Sequence, residues 1–184
     1  MKKLISLLLV LIMVVSVAAG CKSEDTNATT TTPTTTAPAV QNLTGTMEEV
    51  ITAIYEKHAA VQLPLMSMTL DLTDLDALGY NTGLTSAEKI SQVAISEPMM
   101  GQPYSLILVR VKDAADANAI AKEMFEKVDT RKWVCMEADT KTAASYGDVA
   151  MFFMVNTDFK DQVTTATMMD AFKAVCGGNV TVVE

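Results

Sequence analysis

The chain has 184 residues, with 14 Lys and Arg against 22 Asp and Glu, a formal net charge of −8 and 49% hydrophobic residues. An acidic balance without a cluster of Lys and Arg excludes recognition of a phosphate backbone, so no nucleic acid is expected as a partner. The three cysteines form no Cys-x-x-Cys pair, and the single histidine, His58, cannot complete a ligand set, which excludes a zinc ribbon or a thioredoxin-type centre.

Met1-Lys2-Lys3 is followed by an apolar run from Leu4 to Ala19, and Ala18-Ala19-Gly20-Cys21 closes it. A basic start, an apolar stretch and small residues before a cysteine predict a lipoprotein signal peptide over 1–20. Cys21 would then carry the diacylglyceryl thioether as the mature N-terminus. A spanning helix is the weaker reading, because the run includes Ser6 and Ser16 and falls short of the ~20 apolar residues that cross a bilayer. The expected location is the extracytoplasmic face of the cell membrane. Attachment there comes from the lipid, since loss of Lys2 and Lys3 moves the formal charge from −8 to −10 and makes attraction to anionic headgroups weak.

Residues 21–44 are predicted to be the lipidated cysteine and a Thr- and Pro-rich tether. A threonine run with Pro33 and Pro38 offers too little apolar surface to offset the entropy of ordering. Such a coil spans about 25 to 30 Å on average, enough for clearance from the membrane.

Residues 45–184 suffice for a single globular domain. Thr46 with Glu49 forms a capping box, and Met47, Val50, Ile51 and Ile54 recur at helical spacing, with Lys57 and His58 in the last turn. Thr85 with Glu88 repeats the box and predicts a short helical turn. Strands are expected over Ser91 to Glu97 and over Tyr104 to Val111, the second central because both of its faces are apolar apart from Ser105 and Arg110. Asp113 is expected to cap a helix with the stripe Ala117, Ile120, Ala121, Met124, Phe125 and Val128. Thr140 to Tyr146, the Gly147-Asp148 turn and Val149 to Val155 read as a hairpin. Asp158 then caps a predicted helix with the stripe Phe159, Val163, Ala166, Met169, Phe172 and Cys176, ended by Gly177 and Gly178 before a short strand over 179–184.

A hairpin followed by a helix thus occurs twice. The fold class expected is α+β: a mainly antiparallel sheet carrying both long helices on one face, with the helix from Met47 to His58 packed at an edge or end. The lipobox, Leu78-Gly79-Tyr80 ahead of Thr85, Tyr104 to Val109 leading into Lys112-Asp113-Ala114, Arg131 to Cys135 and the Gly147-Asp148 turn carry a likeness. Over most of residues 46 to 155 the chain resembles a family of short Firmicute lipoproteins known only as a domain of unknown function. That resemblance implies location and framework and contributes no catalytic site.

Asp71, Asp74 and Asp76 lack the alternating oxygens, central glycine and terminal glutamate of a calcium loop, so Asp74 reads as a cap or turn former and no metal is expected. Met66 and Met68, Met99 and Met100, and Met168 and Met169 raise soft-sulfur Cu(I) binding, but most methionines fall on core stripes, which leaves Met99 and Met100 as the notable exposed pair. Arg131, Lys132 and Trp133 are expected to form a positive spot beside a half-buried ring, a surface for a partner or anion. Cys135 and Cys176 are either a disulfide or two small buried hydrophobes. With no Gly-x-Ser-x-Gly elbow and no His-Glu-x-x-His helix, no catalytic residue and no cofactor are assigned. The expected function is a non-enzymatic interaction module meeting an envelope protein or wall component. A small-ligand or Cu(I)-binding lipoprotein is the alternative.

Overall fold

The computed structural model describes residues 41–58 and 60–183. The expected signal peptide, Cys21 and the tether as far as residue 40 lie outside the described residues.

The first helix, α1 (Met47–Lys57), starts where the capping box predicts: Thr46 Oγ1 accepts from Glu49 N at 3.2 Å, and Glu49 Oε2 accepts from Thr46 N at 2.7 Å. Two elements absent from the sequence reading follow, β1 (Leu65–Thr69) and α2 (Leu75–Thr82). Asp74 caps α2 by accepting from Ala77 N at 2.9 Å, the capping role expected of it. Then come β2 (Ile90–Pro98), β3 (Tyr104–Val111), a 3-10 turn at Ala114–Asp116 capped by Asp113, α3 (Ala117–Lys127), β4 (Thr140–Tyr146) and β5 (Val149–Val155). The chain ends with α4 (Thr165–Val175) and β6 (Thr181–Val183).

All six strands form one antiparallel sheet in the order β1-β2-β3-β5-β4-β6. Side chains alternate across β5: Val149, Met151, Phe153 and Val155 join one core with α1 and α4, while Ala150, Phe152 and Met154 join the other with α2 and α3. The α+β class and the antiparallel sheet are as expected, but α3 and α4 lie on opposite faces, and α1 packs across a face beside α4 rather than at an edge. Crossover handedness accounts for this. The links β3-α3-β4 and β5-α4-β6 both skip one strand toward the same edge, yet β3 and β5 run in opposite directions. Right-handed crossovers of equal displacement from oppositely directed strands place their helices on opposite sides.

Two local readings are corrected. No helical turn forms at Thr85: Gly83 ends α2 in the left-handed region, and Ser86 rather than Thr85 accepts from Glu88 N. Asp158 lies in a 3-10 turn capped by Asn156, and α4 begins at its own capping box, Thr164 with Thr167. The inner stripe of α4 is therefore Met168, Met169, Ala171 and Phe172, with Ala166 exposed.

The domain also begins before Gly45. Arg110 on β3 donates to Leu43 O at 2.6 Å and to Gly45 O at 2.5 Å, and pairs with Asp148 at 3.2 Å. Leu43 packs against the α1 and α4 core, so the last residues assigned to the tether are held on the domain.

Gly83 combines a φ of +71° with backbone proximity: a Cβ there would stand 2.7 Å from the Lys127 carbonyl carbon. Gly83→Ala adds left-handed strain to overpacking of the α2 and α3 ends, an expected loss of about 2 to 4 kcal/mol. A urea titration checks this, and a loss below about 1 kcal/mol would mean that the two helix ends are free to move apart.

Candidate functional site

Three connections meet at one end of the sheet: the β2–β3 turn, the α3–β4 loop and the β5–α4 segment. Asn156 joins them, its N–H donating to Pro103 O and its Nδ2 to Glu137 O, each at 2.9 Å. Thr157 N and Oγ1 donate to the two Asp139 oxygens at 2.8 and 2.6 Å. These bonds hold the Asp139 carboxyl below its ordinary value, the Thr157 hydroxyl being the largest cause.

Between these segments lies an open cavity of about 490 Å³ lined by Gln102, Pro103, Cys135, Met136, Asn156 and Phe159, with Glu137, Asp139 and Asp158 also facing it. No cationic side chain lines it, and Gln102 Oε1 is buried without a hydrogen-bond partner. The lining combines soft sulfur, apolar surface and carboxylates. It carries no nucleophile paired with a base, because the only histidine, His58, does not line it and is instead hydrogen-bonded to Thr167 Oγ1 at 2.8 Å, at the C-terminal end of α1 and the first turn of α4.

Met99 and Met100 project from the β2–β3 turn with 70% and 75% of their surface exposed. Trp133 stands beside the same turn, its Cδ1 only 3.7 Å from where a side chain at Gly101 would begin. The ring is half-buried against the α3 core, as expected. Val134 and Met136 extend the exposed apolar surface. The structure thus brings Trp133 against Gly101 in the turn that carries Met99 and Met100, more than thirty positions away in the chain.

The expected positive spot is absent. Arg131 is exposed but paired with Glu137 at 3.0 Å, and Lys132 turns inward with only 2% of its side chain exposed. Lys132 Nζ is hydrogen-bonded to Glu97 Oε1, stands 3.4 Å from Ser105 Oγ, and lies 5.3 and 5.9 Å from the ring centroids of Trp133 and Tyr80. Tyr80 closes the arrangement by donating to Lys132 O at 2.9 Å. The correction follows from sheet register, which sets Glu97 beside Ser105 on the α2 and α3 face and offers the ammonium an acceptor inside. The sequence signals no site role for Tyr80 beyond its place in Leu78-Gly79-Tyr80.

Cys135 and Cys176 are both free thiols, so the disulfide alternative is corrected. Cys135 is exposed at the cavity with a φ of 62°, whereas Cys176 is buried in the α1 and α4 core. Burial pushes the Cys176 thiol up to about 12. Of the paired methionines, Met168 and Met169 are buried on α4, while Met66 and Met68 are exposed on β1. Asp71 accepts from Thr73 N and Oγ1 at 2.9 and 2.8 Å, bonds that lower its carboxyl and explain it as a turn former. Asp76 lies in the first turn of α2.

Two phenols, Tyr104 fully buried and Tyr55 half-buried, are structural. Tyr104 donates to Tyr55 at 3.0 Å, and Tyr55 to Ser96 Oγ at 2.9 Å, while desolvation raises both phenols above the ordinary value. The unfolded chain ionises first, so it binds fewer protons than the native state at high pH. Stability is therefore fully present below about pH 10 and falls above it by up to about 1.4 kcal/mol per pH unit for each tyrosine. Chemical denaturation between pH 8 and 11 checks this, with Tyr104→Phe expected to reduce the slope.

Among the described residues no helix is long and apolar enough to cross a membrane, and no group of three or more His, Cys, Asp or Glu is arranged to hold a metal. No protein-family model, curated protein or solved structure matches this chain.

Proposed function

We propose that this chain is a membrane-anchored extracytoplasmic lipoprotein, tethered through Cys21, whose domain is a non-catalytic interaction module. The surface that meets its envelope partner, a protein or wall component, is the loop end formed by Met99, Met100, Trp133, Val134 and Met136. The exposure of Met99 and Met100 beside Trp133 carries this reading, because apolar side chains grouped on an otherwise well-buried fold are characteristic of contact surfaces, and flexible methionine suits varied partners. The lipobox and the resemblance to short lipoproteins support the anchoring.

The test uses the full chain in its native cells, with a photo-crosslinking residue at Met100 and a control at Thr85. A discrete envelope product from position 100, absent at 85 and reduced by Trp133→Ala, is expected, together with fatty-acid labelling that Cys21→Ala abolishes. Turnover of a substrate lost on one carboxylate substitution would overturn the module reading, and an unlabelled chain would overturn the anchor.

The cavity beside Cys135 and Met136 favours a second reading, a small-ligand or Cu(I)-binding lipoprotein, since thiolate and thioether are soft ligands. Titration with Cu(I) under reducing conditions tests it: tight uptake removed by Cys135→Ser supports it, and no uptake removes it.

A further inference from the structure

Both ends of the sheet leave a strand with one side unpaired among the described residues, and the two differ in how that edge is protected. At one end β6 has three residues and is followed in the chain by Glu184, the short and charged form that blunts an edge. At the other end β1 is Leu65-Met66-Ser67-Met68-Thr69, with four of its five residues exposed and no Lys, Pro, bulge or charge within it. Uncharged side chains in fact run without interruption from residue 59 to residue 70, in a chain of net charge −8.

Hydrogen-bond parity shows which groups face outward. Met99 N donates to Pro64 O and Leu70 N to Val93 O, each at 3.0 Å, so residues 64, 66, 68 and 70 exchange bonds with β2. Leu65, Ser67 and Thr69 therefore direct their backbone groups to the open side, and the Leu65 N–H is already taken by Leu63 O at 2.8 Å. Pro64, which would block a ladder bond on the outer side, stands at an inward position.

We infer that β1 pairs antiparallel with β1 of a second copy of this chain about a two-fold axis at Ser67. In that register Ser67 exchanges both backbone bonds with Ser67 of the second copy, and Thr69 N–H meets the free Leu65 carbonyl on each side. Met66 falls opposite Met68 and Met68 opposite Met66, on the face that carries α2, so the apolar side chains cover one another. A two-fold contact must be self-complementary, and Met-Ser-Met reads alike in both directions. Charge favours the same occupant: the first charged residue, Asp71, falls opposite Leu63, so two acidic molecules meet without opposing carboxylates. This surface is separate from the loop end proposed for the envelope partner.

The test uses the full chain in detergent, in a Cys135→Ser background. A hydrogen-bonded antiparallel pair sets the two Cα atoms about 5.5 Å apart, inside the about 4.4 to 6.8 Å range of a disulfide. Ser67→Cys is therefore expected to give an oxidised dimer at least about tenfold more abundant than the exposed control Thr85→Cys at equal concentration. Ser67→Lys places two ammonium groups opposite each other and is expected to weaken the dimer about tenfold or more in sedimentation equilibrium. Photo-crosslinking from Met100 should be unchanged by Ser67→Lys, which separates failure here from failure of the partner reading. A monomer at every concentration, a dimer unaffected by Ser67→Lys, or capture by Ser67→Cys of only a different polypeptide would each overturn the proposal.

Discussion

Glu97→Ala is expected to destabilise the domain by about 3 to 5 kcal/mol, because it strands a buried ammonium. Lys132 keeps 2% of its side chain exposed and Glu97 25%, so the two halves of the pair are not equivalent. After loss of Glu97 the ammonium retains Ser105 Oγ at 3.4 Å and the faces of Trp133 and Tyr80, contacts that replace little of a charged hydrogen bond. Lys132→Met leaves the more exposed member, whose carboxylate can turn toward water, and should lose only about 1 to 3 kcal/mol. The double variant Glu97→Gln with Lys132→Met is expected to be less damaging than the sum of the singles, since an apolar replacement of a buried pair is often close to neutral. Urea unfolding followed by far-UV circular dichroism is the appropriate readout, because the only tryptophan, Trp133, is itself part of the arrangement. Equal losses from the two single variants would show that burial of Lys132 does not control the pair.

Phe153→Ala should produce a loss of similar size in a different part of the molecule. Phe153 is fully buried on β5, opposite Leu106 on β3 and Thr142 on β4, in the core under α1 and α4. Large-to-small substitution of such a ring removes about 3 to 5 kcal/mol, combining lost transfer energy with the cavity left behind. Its edge-on contact with Tyr104, at 5.1 Å and 75°, contributes about a further 0.5 to 1.5 kcal/mol. Tyr104 cannot move far into the vacated space, because its hydroxyl is held to Tyr55 at 3.0 Å. Phe159→Ala, at a partly buried position in the β5–α4 segment, serves as comparison and should lose much less. A greater loss at Phe159 than at Phe153 would show that the core is not where β5 places it. About a fifth or more of a typical domain stability of about 5 to 15 kcal/mol is at issue in each case.

The elements read most accurately were those whose pattern is strong and local. The bounds Tyr104–Val111, Thr140–Tyr146 and Val149–Val155 agree with expectation, since strands apolar on both faces and a Gly-Asp turn carry their own limits. The Thr46 and Glu49 box likewise starts α1. β1 carries no comparable signal because an exposed edge strand buries no alternating face, and α2 carries little because only Leu78 and Thr82 of its eight residues are buried. The box pattern at Thr85 starts no helix because Gly83 has already turned the chain and Leu84 is drawn into the core before β2.

In the candidate site, the exposure of Met99 and Met100 was legible from their place in a turn. Lys132 was not, because a lysine is ordinarily solvated and its inward course depends on Glu97, 35 positions away. Nor could the separation of Cys135 from Cys176 be read, since a disulfide depends on spatial approach and the two thiols occupy a surface loop and a core.

By itself the order of residues determined which segments are amphipathic, where most of them begin and end, and that two hairpins are each followed by a helix. Which sheet face each helix covers was decided only in three dimensions. β3 and β5 are apolar on both sides, so a helical stripe has two acceptable floors, and the choice between them depends on strand order and crossover hand, quantities that no local run of side chains contains.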